Sequence, residues 1–417
     1  MTPTSDPAPL PAPAAPAPTR AQRLREGAGV VALTVLLIVG LLEIGLRLFA
    51  PQITNDGTVR GPEVRPDLFT GLFVGDPAAT YRNTPGFRLP FQQFDEIDTT
   101  FTINQQGLRE DREIGPPTAD TLRILCVGDS FTFGMGVDGN QTFAHLLGGA
   151  PATDGRMVDS INAGVNGYGT DNEAAWLDAY GWVLKPQFVL VGFYVGNDVR
   201  DVMLGINKTT VTAAGHLVGT SKTSAMLASS VAPAAKPTPA TGPTAWLDSH
   251  SHAWVWSHGL LWRVFPGLRP APPVAPLGVF DAPSILLKDE PADIAAGWSK
   301  TLALLDQMRA AAAAHGAGFA VLVIPMREQV QEAEWQEMKR PSGLSDDLLE
   351  RDHPQRRLAA WAAQSGAQLI DVLPAFRAAA ATGPLYYRTD PHWNPEGHVL
   401  ATRLIREALQ HGGVLRP

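Results

Sequence analysis

The chain has 417 residues, 45% of them apolar and 18% charged, which is the composition of a globular protein with room for one large core or two. Its formal net charge is −8 and no basic stripe runs along it, so the sequence does not have the footprint of a nucleic-acid-binding protein. The single cysteine, Cys126, cannot form an intramolecular disulfide, and its position inside an apolar run predicts a small buried side chain.

The N-terminal region predicts a membrane anchor behind a polar tail. Residues 1–27 are rich in proline and alanine over most of their length and are expected to form a disordered cytoplasmic tail. Residues 28–50 are expected to cross a membrane, because about 19 apolar residues at roughly 1.5 Å each nearly span a hydrocarbon core of about 30 Å. A cleaved signal peptide is the competing interpretation, but no small-x-small cleavage site follows the run.

The arginines around this span predict its orientation. Three arginines precede it and one follows closely, so the positive-inside rule places the N-terminus in the cytoplasm. We therefore expect a single-pass protein of a bacterial inner membrane, with the rest of the chain in the periplasm or outside the cell. Residues 51–120 are expected to be a lead-in segment that packs on the main domain, with a small strand or two around Thr99, Phe101 and Ile103.

Residues 121–417 alternate between strand and helix patterns, which predicts a parallel sheet with helices on both faces. The predicted strands are Leu122–Val127, Met157–Asn162, Phe188–Gly192, Phe319–Ile324 and Gln368–Val372. The predicted helices are Gln141–Leu147, Asn172–Val183, Ala295–His315, Pro354–Gln364 and Pro395–Leu409. Residues 205–285 interrupt this alternation and are expected to be an insertion, since so long a connection is uncommon in a compact domain.

Ser130 is the candidate nucleophile. It follows the first predicted strand at once, after Gly128 and Asp129. Ligands of open α/β sheets bind in the crevice beyond the carboxyl ends of the strands, and a serine lifted out of the sheet there meets the substrate. Asp and Ser are also good caps of an ordinary strand-to-helix turn, so this stretch alone does not distinguish a catalytic serine from a structural one. A catalytic serine also requires a base and oxyanion donors, which other loops must supply.

Two further strand ends offer those donors. Gly164 lies after the second strand, where a backbone N–H could stabilise an oxyanion, although a glycine-rich turn is the simpler explanation. Asn197 lies after the third strand and offers a neutral amide donor, although it could serve only as a turn residue beside Gly196.

A loop near the C-terminus offers the base. Asn394 and Pro395 are typical of a helix start, so the preceding loop is expected to be held in place. His392 in this loop could accept the proton of a serine hydroxyl, and Asp390 could hold the imidazole in the required tautomer. His398 is the rival base, within the last predicted helix, and Asp371 at the end of the fifth strand is the rival acid.

Two other patterns in the chain are alternatives to this site. Residues 134–139 match GxGxxG, but Gly128–Ser130 already occupy the strand end where a dinucleotide-binding loop would begin. His250, His252 and His258 lack a cysteine or carboxylate to complete a metal site. The sequence therefore predicts neither a metal nor a cofactor.

The four blocks together resemble the SGNH (GDSL-like) hydrolase superfamily over about residues 122–410. The letters of its name map onto Ser130, Gly164, Asn197 and His392. The resemblance implies a three-layer α/β/α, flavodoxin-like fold with about five parallel strands, here after one N-terminal transmembrane helix. It also implies a serine nucleophile and an oxyanion hole made by the N–H groups of Ser130 and Gly164 and the amide of Asn197.

The acid departs from the pattern of many superfamily members, which place it three residues before the histidine. Here Asp390 precedes His392 by two, in the sequence Asp-Pro-His-Trp. This form looks like that of alginate-type polysaccharide O-acetyltransferases, in which the corresponding segment precedes the serine segment. The chain nevertheless keeps the general SGNH order of blocks, and Asp371 remains open as the acid.

We expect an extracytoplasmic serine esterase that acts on acyl esters, in particular O-acetyl esters of cell-envelope or exopolysaccharide glycans. The first alternative is a polysaccharide O-acetyltransferase with the same Ser130, His392 and Asp390, because the two reactions differ only in the final acceptor. The second is a non-catalytic glycan-binding or assembly protein on the same scaffold. The expected partners are an acylated carbohydrate or other ester and the membrane, with no nucleic acid.

Overall fold

The computed structural model describes residues 20–49, 69–93, 96–213, 215, 217–219, 282–342 and 345–416, with single residues between 247 and 261. They fall into two compact units, one of residues 1–63 and 237–270 and one of residues 64–236 and 271–417. The insertion predicted for residues 205–285 is therefore divided between the two units. Most of that insertion lies outside the described residues.

The first unit contains helix α1 (Arg20–Phe49). Its stretch Gly27–Gly45 is long and apolar enough to cross a membrane, and none of it is buried. The helix begins at Arg20, inside the segment predicted to be a disordered tail, and residues 1–19 of that tail lie outside the described residues. Within this unit, the carboxylate of Glu43 accepts hydrogen bonds from the Ser251 hydroxyl (2.9 Å) and the Ala253 N–H (2.8 Å).

The second unit begins with two antiparallel hairpins. The first pairs β1 (Phe73–Asp76) with β2 (Thr80–Asn83), and the second pairs β3 (Arg88–Gln93) with β4 (Ile97–Thr102). Alternate residues of β4 are buried, as the predicted alternation through Thr99 and Phe101 requires. Both hairpins lie in the segment predicted to be a lead-in, residues 51–120.

The central sheet has five parallel strands, in the order β11-β10-β7-β5-β6. Its strands are β5 (Thr121–Gly128), β6 (Met157–Gly164), β7 (Phe188–Tyr194), β10 (Gly318–Ile324) and β11 (Gln368–Asp371). A small antiparallel pair, β8 (Thr209–Val211) and β9 (Leu217–Gly219), follows β7 along the chain. All five predicted strands are present, within about two residues at each end.

Helices cover both faces of the sheet. They are α2 (Ser130–Phe133), α3 (Phe143–Leu147), α4 (Thr170–Trp176), α5 (Asp198–Leu204), α6 (Ala292–Ala314), α7 (Arg327–Val330), α8 (Glu332–Ser342), α9 (His353–Ser365), α10 (Leu373–Ala380) and α11 (Pro395–His411). Leu125 and Val127 of β5 face the core shared with α4, α6 and α9, whereas Ile124 and Cys126 face the core shared with α3, α10 and α11. The predicted three-layer α/β/α fold is confirmed.

The order of the strands places a crevice beside β5. The chain leaves β5 for β6 on one side and then returns to β7 on the other, so connections from neighbouring strands run in opposite directions. Such a reversal opens a ligand crevice beyond the carboxyl ends of the two strands in an open α/β sheet. Ser130 follows β5 and Asn197 follows β7, so the sheet brings both to this crevice.

Candidate active site

A sharp turn at the end of β5 presents Ser130. Gly128 tolerates no side chain there, because a Cβ atom would lie 2.1 Å from Thr132 Oγ1 and 3.0 Å from the Gly192 carbonyl oxygen. The Asp129 carboxylate then caps α2 by accepting the Phe131 N–H at 2.9 Å. Ser130 is the first residue of that helix and is 8% exposed.

The loop that carries His392 is held by the helix that follows it. Asn394 caps α11 by accepting the Gly397 N–H at 3.0 Å, and its amide donates to the Pro384 carbonyl oxygen at 2.9 Å. Pro395 takes the first helical position, as the sequence predicts. The indole of Trp393 is fully buried against Phe131 and Phe376, so the residue next to His392 cannot move freely.

The structure brings Ser130, His392 and Asp390 into one hydrogen-bonded chain. The Ser130 Oγ lies 2.7 Å from His392 Nε2, and His392 Nδ1 lies 2.6 Å from Asp390 Oδ1. The tautomer that donates its Nδ1–H to Asp390 leaves Nε2 as an acceptor for the serine hydroxyl. This is the arrangement in which a serine can be deprotonated as it attacks.

The two-residue spacing between acid and base is accommodated by a tight local turn. Asp390 Oδ1 accepts both the ring Nδ1–H and, at 2.9 Å, the backbone N–H of His392. Burial by itself would raise the pKa of Asp390, but the charge of His392 and these hydrogen bonds outweigh it and hold the pKa below its usual value. Asp390 is therefore ionised at neutral pH and can orient the imidazole.

The two rival residues lie in structural positions. Asp371 accepts the Leu373 N–H at 3.0 Å, in the turn between the edge strand β11 and α10. His398 is 1% exposed, and its Nδ1 accepts the Phe143 N–H at 3.2 Å. Burial lowers the pKa of His398 to about 3, with a smaller contribution from the charge of His392.

The predicted oxyanion donors differ in how free they are. Ser130 N–H has no backbone or side-chain acceptor within the part of the chain that the structure describes. Asn197 lies at the start of α5, partly exposed, with its amide close enough to Asp129 to lower the pKa of that carboxyl. Ser130 and Asn197 follow the carboxyl ends of the neighbouring strands β5 and β7.

Gly164 differs from the prediction, because its N–H is already occupied. It donates to the side-chain oxygen of Asn162 at 2.9 Å. A Cβ atom at Gly164 would lie 2.1 Å from the backbone nitrogen of Phe133, so the missing side chain lets α2 pack on the end of β6. The structure thus supports a packing role for Gly164 and does not present its N–H as a free oxyanion donor.

Asn162 and Gly167, in the same loop as Gly164, are residues that sequence reasoning missed. The Asn162 amide donates to the Thr132 carbonyl oxygen at 2.8 Å, which ties the helix that carries Ser130 to β6. Gly167 has a φ of +82° in the turn closed by the Tyr168 N–H and the Val165 carbonyl oxygen, and is half-buried. The run Asn-Ala-Gly-Val-Asn-Gly contains both residues, but its spacing does not show which glycine packs against α2 and which one forms the turn.

A group of buried carboxyls behind the nucleophile was also missed. Asp129, Glu173 and Asp198 are each 0% exposed; the charge of Asp129 raises the pKa values of Glu173 and Asp198, and the charge of Glu173 raises that of Asp198. Burial is the larger cause and raises the pKa of Asp129 to about 6.

The two alternative patterns are the group of three histidines and the GxGxxG match. His250, His252 and His258 lie outside the described residues. The glycines of the GxGxxG match follow α2, and Gly134 and Gly136 adopt φ values of +81° and +91° in the turn after it. The strand end itself is occupied by Gly128 and Ser130, as expected.

Comparison with known proteins gives one family match and several distant relatives. Residues 287–415 match the family model described as "ALGX: SGNH hydrolase-like domain, acetyltransferase AlgX". The "Probable alginate O-acetylase AlgJ" of Pseudomonas putida is 29% identical over 116 residues. That alignment covers 28% of this chain and 28% of the relative, so the chain spans about a quarter of the length of the curated protein it matches.

Two solved structures are distantly similar. TesA is 14% identical, with a TM-score of 0.34, and the alignment covers 69% of this chain and 98% of that one. A catalytic mutant of Axe2, an acetylxylan esterase from Geobacillus stearothermophilus, is 12% identical, with a TM-score of 0.34 and coverage of 71% and 97%.

The family match includes Asp390 and His392, and it confirms the resemblance to SGNH hydrolases that the sequence motifs predict.

Proposed function

We propose that this chain is an enzyme that moves an O-acetyl group through Ser130. Its residues 287–415 match the model of an SGNH hydrolase-like acetyltransferase domain. The observation that carries this proposal is the continuous chain of hydrogen bonds from Ser130 through His392 to Asp390, with distances of 2.7 and 2.6 Å. A serine hydroxyl is a weak nucleophile until an oriented base accepts its proton.

In the first half of the reaction, Ser130 Oγ attacks the carbonyl carbon of the ester while its proton passes to His392 Nε2. The ionised Asp390 stabilises the imidazolium that forms. The Ser130 N–H and the Asn197 amide are the proposed donors to the oxyanion. Gly164 could join them only after exchanging its hydrogen bond to Asn162. The tetrahedral intermediate then breaks its bond to the leaving alkoxide, which takes the proton from His392.

In the second half, an acceptor hydroxyl gives its proton to His392 and attacks the acetyl-serine. The bond between the acetyl group and Ser130 Oγ breaks, and the serine recovers its proton from the imidazolium. Water as the acceptor gives an esterase, whereas a sugar hydroxyl gives an O-acetyltransferase. The same three side chains serve both reactions.

The comparisons favour acetyl transfer to a polysaccharide as a second candidate beside ester hydrolysis. The matching family model names an acetyltransferase, and the curated relative is named as a probable alginate O-acetylase. We propose a glycan of the cell envelope or of an exopolysaccharide as the carbohydrate partner. With α1 as a single-pass anchor in the inner membrane, the proposed site lies on the periplasmic or outer side.

Covalent labelling tests whether Ser130 is activated. A fluorophosphonate should modify the purified full-length protein at Ser130, and Ser130→Ala should show no adduct at that position. Absence of any adduct on the folded parent protein would overturn the proposed enzyme and favour the non-catalytic glycan-binding alternative.

The same assay distinguishes the two candidate acids. Asp390→Asn should slow labelling by roughly 10²- to 10⁴-fold, the range typical of a lost acid–base interaction, because an amide cannot stabilise the imidazolium. Asp371→Asn makes the same chemical change in the turn before α10 and should leave the rate within about twofold of the parent. The reverse order of the two variants would assign the acid to Asp371.

A product assay separates hydrolysis from transfer. The parent protein is incubated with an activated acetyl ester and an unacetylated polysaccharide, and the acetylated sugar and free acetate are measured together. Acetylation that depends on Ser130 would assign transfer. Release of acetate alone, with the same dependence, would assign hydrolysis.

A further inference from the structure

Glu96 holds the loop that carries the acid and base. Its carboxylate accepts three consecutive backbone N–H groups, those of Arg388 (3.0 Å), Thr389 (2.7 Å) and Asp390 (3.2 Å). Glu96 itself lies between β3 and β4, in the segment that the sequence predicts to be a lead-in packed on the main domain. A residue nearly 300 positions away along the chain therefore contacts the backbone of Asp390.

The loop needs this support because residues 388–392 form no helix or strand. Their N–H groups have no regular backbone partners, and a charged acceptor makes hydrogen bonds about twice as strong as a neutral one. The opposite side of the loop is held by Arg327, whose guanidinium donates to the Tyr387 and Arg388 carbonyl oxygens at 3.3 and 3.0 Å. Glu96 and Arg327 thus hold the loop by its N–H and C=O groups respectively.

The hairpin that carries Glu96 also contacts the nucleophile side. The Thr99 hydroxyl and the Thr100 N–H donate to Asp138 at 2.6 and 3.0 Å, and Asp138 lies in the segment that follows α2. The ring of Phe101 packs edge-on against Phe133, the last residue of α2, with centroids 5.1 Å apart. One hairpin therefore reaches both halves of the proposed site.

We propose that Glu96 is a positioning residue that sets the distance between His392 and Ser130 by fixing the loop to the β3–β4 hairpin. This inference rests on the proposed function. A displacement of about 1 Å at the reacting atoms can cost roughly a hundredfold in rate, so the loss of three hydrogen bonds to this loop should slow acyl transfer without weakening binding of the ester.

The kinetic test measures kcat and KM for an activated acetyl ester with Glu96→Ala, Glu96→Gln and the parent. The alanine variant should lower kcat by about 10- to 100-fold with KM within about twofold. The glutamine variant should lie between alanine and parent, because it keeps one acceptor oxygen. The matched control is Glu113→Ala, since Glu113 also accepts a backbone N–H, that of Gln105 at 2.8 Å, in the same segment. It should leave kcat unchanged.

A crystal structure of Glu96→Ala gives a readout that does not depend on activity. A displaced loop 388–392, with His392 Nε2 beyond hydrogen-bond distance of Ser130 Oγ, supports the proposal even if the parent shows no labelling. An unchanged 2.7 Å contact overturns it, as does an unchanged kcat. Failure of the proposed function is distinct, because it would appear as an unlabelled parent protein.

Discussion

Two histidines that lie only six positions apart along the chain, His392 and His398, differ in exposure and in hydrogen-bond partners. His392 is partly exposed and contacts Ser130 on one side and Asp390 on the other. His398 is enclosed between Phe143 and Trp393 and makes its hydrogen bond to a backbone N–H, which only a neutral ring can satisfy. One ring can therefore exchange protons with a substrate, whereas the other is a neutral part of the core.

The buried His398 should make the protein less stable in acid. Its pKa of about 3 in the folded protein lies below the ordinary value near 6.5, so between these pH values the unfolded chain binds a proton that the folded chain does not. The free energy of unfolding should fall as the pH falls through this window, by up to about 1.4 kcal/mol per pH unit from this group.

Urea unfolding at several pH values checks this. His398→Asn keeps an acceptor for the Phe143 N–H and removes the titration, so its unfolding free energy should depend less steeply on pH below about 6.5 than that of the parent. His411→Asn makes the same change at the exposed end of α11 and should retain the parent slope. Parallel curves for the parent and His398→Asn would contradict the buried, neutral state.

Helix α2 is the element on which the candidate site depends, and it has only four residues. So short a helix has no periodicity that a sequence could reveal, and it is held by its neighbours. Asn162 anchors its backbone through the Thr132 carbonyl oxygen, and Gly164 allows it to lie against β6. The position of Ser130 is therefore decided by side chains and gaps on other strands.

Gly164→Ala should disturb this packing. Its Cβ would lie 2.1 Å from the backbone nitrogen of Phe133, a contact that no side-chain rotation relieves. We expect a loss of unfolding free energy of about 1–3 kcal/mol, typical of overpacking, together with slower labelling of Ser130. Gly115→Ala is the control, since a Cβ atom there meets nothing within 4 Å and the residue is exposed.

Urea unfolding and the labelling rate are measured on both variants. If Gly164→Ala has the same unfolding free energy and labelling rate as the parent, α2 can move away from β6 at no cost. That result would contradict the packing role inferred for Gly164. Equal losses in the two variants would point to a general effect of replacing glycine.

For the molecule as a whole, the proposed anchor determines on which side of the membrane the proposed chemistry occurs. Helix α1 contains a span long and apolar enough to cross a bilayer, and the arginines that precede it favour a cytoplasmic N-terminus. An O-acetyl transfer to a polysaccharide of the envelope requires the proposed site to face away from the cytoplasm. The proposed orientation and the proposed substrate are therefore linked.

Protease treatment of intact spheroplasts tests this orientation. A C-terminal epitope on the full-length chain should be lost when protease is added outside, while a cytoplasmic marker protein stays intact. Protection of the epitope until the membrane is broken would place the domain in the cytoplasm and contradict the proposed location.

Elements with strong local patterns could be predicted from the chain alone. Long apolar runs predicted the five strands, and capping residues predicted the start of α11 at Asn394 and Pro395, because these signals depend on neighbours along the chain. Ser130, His392 and Asp390 could be selected because their residue types and loop positions suit one chemistry.

The folded arrangement of the sheet and its loops was needed to show which of these groups form hydrogen bonds with one another. Hydrogen bonds between distant segments join Ser130 to His392 and Glu96 to the loop at Asp390. No local pattern reports such contacts, because each depends on two segments that the folded sheet brings together. The physical reason is that an N–H group or a carboxylate has the same sequence signature whether its partner is solvent, substrate or another loop.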